Sequence, residues 1–285
     1  MRVETRLISQ KESMLLYKYI TSDRFFHNLQ LRFTPAEDLN DPRELIPDIR
    51  LKDPGKYAAN IVERNLSSAY FGFLLTHPNV GMDEAWQQIS MFANNFTDSF
   101  DPEKTSREIY DSFMRVMNLN VGVLSLTESP DDEVMWAHYA NNYNGFVVGF
   151  DSEDDFFRPK QDEPKLCGEL MNVIYSDTRP VVYVEPGKMD IPKEVFFTKT
   201  TKWSYEREWR LIKYLGMANE IKEVSGKTIH LFDVSPRAIK EVIFGGKVSQ
   251  SSLDIVESLL RAKAPHVAFK KVRFDQDQGL FVENA

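Results

Sequence analysis

The chain has 285 residues, 42% hydrophobic and 12% aromatic, enough material for one large core or two small ones, which excludes a disordered chain. Its 35 basic and 43 acidic residues leave a net charge of −8, which repels phosphate backbones and anionic lipid and excludes general nucleic-acid binding outside a local basic patch. The single cysteine, Cys167, excludes an internal disulfide framework and fits a reducing, cytoplasmic setting, where it serves as a small buried residue or as a reactive thiol.

The opening stretch MRVETRLISQKESM is charged from its second residue and carries no apolar leader. No apolar run approaches the ~18 residues that cross a bilayer, so no membrane partner is expected. No internal repeat or low-complexity tract is present. SMLLYKYI and NLQLRFT read as an apolar segment and a short strand. They lead into the turn-rich PAEDLNDPRE, where Asn40 and Asp41 are expected to carry the chain toward a central site, because their side chains bond nearby backbone and Pro42 restricts the residue before it. Between about Pro54 and Asn118, KYAANIVERNLSSAYFGFLL, MDEAWQQISMFANNF and SREIYDSFMRVM space their apolar residues as helices do, with Pro or Gly between them. These predict a helical layer over the core, the alternative being a cofactor box.

From Val121 the pattern changes to strands: VGVLSL, GFVVGF, LMNVIY, PVVYV, WRLIKYL, TIHLFDV, KEVIFG and VAFKKVRF. Between the first two, SPDDEVMWAHYANNYNG predicts a short helix with Ser129 as N-cap, Pro130 at its first position, Asp132 closing a capping box and Gly145 as terminator. SQSSLDIVESLLRAK predicts another. Strands in series with helices gathered in one insertion predict an α+β fold: a central sheet, mostly antiparallel or split, in a single domain over 1–285 with a helical insertion at about 54–118.

Several familiar sites are absent from the sequence. The five histidines, His27, His77, His138, His230 and His266, lie outside any zinc spacing, so no metal site is expected. FGGKVS is either a tight turn or a place where backbone N–H groups meet an anion, and VGF lacks a dinucleotide fingerprint. In the short helix, Trp136, His138 and Tyr139 either sandwich a planar ligand or anchor the helix to the sheet. In KWSYEREWRLIKYL, read as a strand, Glu206, Glu208 and Arg210 point to one side at intervals of about 6.6 Å. A carboxylate pair beside a guanidinium binds a ribose diol or stabilises developing positive charge; the other reading is a solvated face with a weak ion pair. Glu208, next to Trp209 and the apolar Leu-Ile step, is expected to sit deeper than Glu206.

The segments LYKYI, FTPAEDLNDPRE, LSLTESPDDEVMWAHYANNYNGFVVGFD and KWSYEREWRLI, in this order, resemble the bacterial and phage family called domain of unknown function 2971. The resemblance covers most of the chain and implies a shared fold and site without an established reaction. The order of parts is also similar to a distant ADP-ribosyltransferase plan. That plan implies NAD as substrate, Glu208 supporting an oxocarbenium-like transition state with Glu206 as polar partner, Lys18 at the early-strand position binding phosphate, and Tyr139 or Tyr143 stacking on nicotinamide. Lys18 departs from the plan's usual arginine or histidine. Three functions are therefore carried forward: an NAD-consuming transferase or glycohydrolase with a macromolecular acceptor, in the manner of a toxin or defence effector; a non-catalytic module binding a nucleotide or peptide; and a metal-dependent nuclease using Asp41, Glu206 and Glu208.

Overall fold

Phe146 to Phe150 are all buried, in the strand Phe146–Asp151. Successive side chains of a strand face opposite ways, so an uninterrupted apolar run means cover on both faces. Val148 packs with Leu16, Phe26, Val242, Val256 and Leu260, and Val147 packs with Tyr19, Trp136 and Ile243. The helices Arg24–Asn28 and Gln250–Lys263 thus cover one face, and the short helix Glu133–Tyr139 covers the other.

The computed structural model describes residues 14–160, 167–277 and 279–285; of the opening stretch MRVETRLISQKESM, expected to carry no apolar leader, residues 1–13 lie outside them. The fold is α+β, and its chain gathers into two compact units. One comprises Met1–Leu45, Val116–Thr178 and Phe196–Ala285, and the other Ile46–Arg115 and Arg179–Val195. None of the helices among the described residues is long and apolar enough to cross a membrane.

The first unit is built on a large sheet that divides at the strand Val121–Thr127. One edge of this strand pairs along its whole length with Glu208–Tyr214, which pairs in turn with Leu170–Asn172. The other edge is shared. Leu15–Ile20 meets it at Tyr17 opposite Thr127, and Gln30–Pro35 meets it at Thr34 opposite Val123 and Pro35 opposite Gly122. Between these contacts the sheet parts into two arms. One continues through Phe146–Asp151, Ile239–Phe244, Ala268–Asp275 and Gly279–Asn284; the other continues through Lys227–Asp233 and Glu220–Val224. All pairings in this sheet are antiparallel except Ile239–Phe244 with Ala268–Asp275. Glu220–Val224 escaped the sequence reading because it is an outer strand exposed at nearly every position, so it lacks an apolar signature.

In the second unit Asp48–Leu51 pairs in parallel with Val181–Glu185, which pairs with Lys188–Asp190. The three helices expected in this part of the chain are Pro54–Thr76, Met82–Asp98 and Pro102–Asn120. Asp53 caps the first, accepting from the Lys56 N–H at 3.0 Å, and Pro54 stands at its start, where a missing N–H costs nothing.

Candidate functional site

The short helix runs Glu133–Tyr139 and is capped by Asp132, whose Oδ1 accepts from the Met135 N–H at 2.9 Å. This corrects the expectation of a helix starting at Pro130 under a Ser129 cap. The backbone of that stretch is already engaged by other groups, one of them from a distant strand. The Ser129 N–H donates to Thr127 Oγ1 (3.0 Å), its carbonyl accepts from the Tyr19 hydroxyl (2.9 Å), and the Pro130 carbonyl accepts from Trp136 Nε1 (2.8 Å). Asp132→Ala is expected to cost about 1 kcal/mol through the orphaned N–H; a denaturant midpoint equal to the parent's would contradict the assignment. The helix also ends before Gly145. Asn141, Asn142 and Tyr143 adopt φ of 49°, 50° and 67°, a left-handed turn that a continuing helix cannot contain. Gly145 is needed for a different reason: a Cβ there would lie 2.2 Å from the Ile20 carbonyl oxygen.

The second polar segment is also broken differently from the expectation. Thr201–Glu206 is a 3-10 helix, Arg207 takes a left-handed φ of 41°, and the strand begins at Glu208. Glu206 therefore does not share a strand face with Glu208 and Arg210. Both carboxylates nevertheless meet at a residue the sequence reading missed, Lys199. Its ammonium lies 2.5 Å from Glu206 Oε2, 3.1 Å from Glu208 Oε2 and 2.9 Å from Glu44 Oε1. Arg210 braces the far side, with Nε 2.7 Å from Glu208 Oε1, one terminal nitrogen 3.1 Å from Glu44 Oε2 and the other donating to the Phe196 carbonyl at 3.0 Å. All five side chains are buried.

Asp41 delivers Glu44 to this cluster. Its Oδ2 accepts from Thr200 Oγ1 (2.8 Å), its Oδ1 from the Arg43 N–H (2.9 Å), and its carbonyl from the Glu44 N–H (3.0 Å). Burial works against its charge, but these hydrogen bonds hold its carboxyl below the ordinary value. The side chain thus folds the turn expected at Asn40 and Asp41.

The electrostatics separate the two glutamates. Burial opposes the ionisation of Glu208, yet Arg210 and Lys199 outweigh it and hold this carboxyl well below the usual range. Glu206 is raised, because burial prevails over the pull of Lys199 and the charge of Glu208 adds to it. Burial also raises Glu44, against Arg210. Glu206 and Glu208 are 4% and 3% exposed, so depth does not single out Glu208 as expected. Hydrogen bonding does. Glu208 Oε2 is held by both Lys199 and Arg210, and Oε1 by Arg210. Glu206 accepts one bond on each oxygen, from the Tyr139 hydroxyl at 2.6 Å and from Lys199. Each oxygen of a carboxylate has two lone pairs, so Glu206 keeps acceptor capacity.

A cavity of about 190 Å³ opens where the arms of the sheet part. Lys18, Asn40, Tyr139, Glu206 and Glu208 line it, together with Tyr17, Ser125 and Lys199. The Lys18 ammonium donates to the Ser125 carbonyl at 2.9 Å, an oxygen on the stretch of edge between the two arms. Burial pulls Lys18 down to about 8 against the opposing attraction of Glu208 and Glu206. The Asn40 amide donates to the Tyr139 hydroxyl at 2.5 Å, which fixes that hydroxyl toward Glu206. Burial, then the bond to Glu206, keep Tyr139 protonated.

The other candidates lie elsewhere. Trp136 is fully buried, edge-on to Tyr19 and stacked on Tyr143 at 5.9 Å, so it anchors the helix. His138 is exposed, and neither it, Tyr143, Asp41 nor Arg210 lines the cavity. Asp41, Glu206 and Glu208 do not assemble as the nuclease alternative requires: among the described residues no group of three His, Cys, Asp or Glu side chains is placed to hold a metal ion. The Lys199 ammonium takes the position between the carboxylates that such an ion would need.

Residues 135–211 match the family described as Protein of unknown function (DUF2971), and the chain resembles that family. The matched stretch contains Tyr139, Lys199, Glu206, Glu208 and Arg210. No curated protein and no solved structure matches the chain.

Proposed function

We propose that the cavity cleaves the N-glycosidic bond of a nucleotide, with NAD as the leading substrate. The observation that carries this reading is the convergence of Lys18, Tyr139, Glu206 and Glu208, brought from distant parts of the chain to one cavity. A cavity of about 190 Å³ accommodates a single ring, since one of ~150 Å³ takes up benzene. It therefore receives a ribose or a base, while the rest of a dinucleotide lies outside. Glu206 has the spare acceptor capacity to bind a ribose hydroxyl and to face positive charge developing at C1′. In the reaction the C1′–N bond breaks with its electron pair going to nicotinamide. A water or acceptor hydroxyl adds to C1′, and its proton passes to Glu206. Glu208 serves as the fixed counter-charge that keeps Lys199 and Arg210 in place, and the free donors of Lys18 face an anionic group of the substrate.

Nicotinamide release from NAD, with water alone and with protein and nucleic-acid acceptors supplied, tests the proposal. Release is expected, and its absence under every condition would overturn the reaction. The pre-pairing of Glu208 favours a second reading, a binding module without turnover; NAD or ADP-ribose binding unaccompanied by nicotinamide release would establish it.

Lys18 supplies a pH test. It is charged below about 8 and neutral above, so affinity for an anionic nucleotide should fall as pH rises through 8, and Lys18→Met should abolish that dependence. The groups acting on Lys18 are Glu208, Glu206, Lys199 and Arg32. Affinity constant from pH 7 to 9 would remove Lys18 from the role.

A further inference from the structure

We infer, on the reading that the cavity takes a nucleotide, that Arg32 and Lys227 form a phosphate subsite beside it and bind the part of the nucleotide that the cavity is too small to hold. The cavity admits a single ring, so the diphosphate of a dinucleotide extends beyond it. Asp38 lines the cavity, and two cations that do not line it hold its carboxylate: Arg32, with a terminal nitrogen 2.5 Å from Oδ2, and Lys227 on Oδ1. Arg32 stands two residues before Thr34 in the strand Gln30–Pro35, so their side chains share one face of the sheet, and Thr34 also lines the cavity. The two cations are thus continuous with the cavity along that face.

Both cations have binding capacity to spare. Lys199 is committed to three carboxylates, and Arg210 to two and a carbonyl. Arg32 and Lys227 share the one carboxylate of Asp38, and among the described residues the buried Nε of Arg32 has no acceptor. Their side chains are 38% and 61% exposed, so an anion arriving from solvent reaches them. Donors that hold a carboxylate oxygen hold a phosphate oxygen in the same way, and a diphosphate therefore competes with Asp38 for them. Charge also fixes the direction in which the nucleotide leaves the cavity. On the side of Gln30–Pro35 the charge of Arg32 reaches Lys18, adding to burial and to Lys199 in lowering it. On the other arm Tyr17 and Tyr19 line the cavity; burial raises both hydroxyls and the charge of Asp131 adds to it. Residues 128–133 hold Glu128, Asp131, Asp132 and Glu133 without a Lys or Arg. A diphosphate is repelled there and drawn to Arg32 and Lys227, with Lys18 meeting the nearer phosphate and this pair the further one.

Calorimetric titration of the full chain with ADP-ribose is the test. Arg32→Gln should weaken binding about 10-fold or more, the loss of a charge-assisted contact. Lys227→Gln should weaken it too, and because that side chain is exposed its melting temperature should match the parent's, which keeps the test open if Arg32→Gln folds poorly. Asp38→Asn should instead tighten binding, since it removes the competing carboxylate; a merely structural role for the three residues would weaken binding in all of them. Inorganic pyrophosphate should compete with ADP-ribose in the parent. No ADP-ribose binding by the parent, equal affinity in the parent and both Gln variants, or weaker binding by Asp38→Asn overturns the subsite. Nicotinamide release from NAD separates this claim from the proposed reaction. No release, with ADP-ribose binding weakened by the Gln changes, retires the reaction and keeps the subsite; release with a KM unmoved by either Gln change retires the subsite and keeps the reaction.

Discussion

Arg210→Ala is expected to lower stability by about 3–5 kcal/mol, the cost of removing one partner from a buried ionic group. The guanidinium is fully buried and reaches Glu208, Glu44 and the Phe196 carbonyl. Without it Lys199 is left to neutralise three carboxylates alone. The melting temperature should fall by roughly 10 °C for a chain of this size. Adding Glu208→Gln to Arg210→Ala should recover part of the loss, because the amide removes one uncompensated charge. A melting temperature within about 2 °C of the parent's, or a double variant weaker than the single, would show that the cluster does not hold the fold. Arg210→Lys should recover little, since an ammonium cannot reproduce the two-pronged contact with Glu208.

The architecture was legible wherever burial leaves a periodic trace. The 54–118 region declared its helices by the spacing of apolar side chains, and Phe146–Asp151 declared a strand by a run without polar interruption. Local competition blurred the boundaries. Ser129 has the chemistry of a cap, but Tyr19 and Thr127, distant in sequence or on a neighbouring strand, claim its backbone groups first. Arg207 looks like a strand residue and instead takes the left-handed conformation that turns a 3-10 helix into a strand. In the site, Glu206, Glu208 and Arg210 were visible as an unusual cluster of charge among aromatic residues. Lys199 and Glu44 were not, because neither belongs to that cluster in sequence. Glu44 reaches the site only through the turn that Asp41 folds, and Lys199 lies in FFTKTTKW, where the apolar and hydroxyl residues flanking it, Phe197, Thr198, Thr200 and Thr201, were the one hint of burial. Trp136 and His138 share a helix with Tyr139, yet one faces the core and the other solvent, and one turn of helix decides which side chain meets the cavity.

The division of labour between the two glutamates is what most needs measurement. Glu206→Gln keeps the shape of the side chain and can still meet Tyr139 and Lys199, but it has neither the charge to face an oxocarbenium-like carbon nor a place for the departing proton. The loss should be about 10²-fold or more in kcat, the size seen when one electrostatic stabiliser is removed from a site. Unlike Arg210, Glu206 makes one bond per oxygen, so its neutralisation should disturb the fold far less. The direct test is nicotinamide release from NAD by parent and Glu206→Gln side by side, with thermal melts of both. Parental turnover, a loss of about 10²-fold in the variant and closely matching melts are predicted; turnover by Glu206→Gln equal to the parent's would contradict the account.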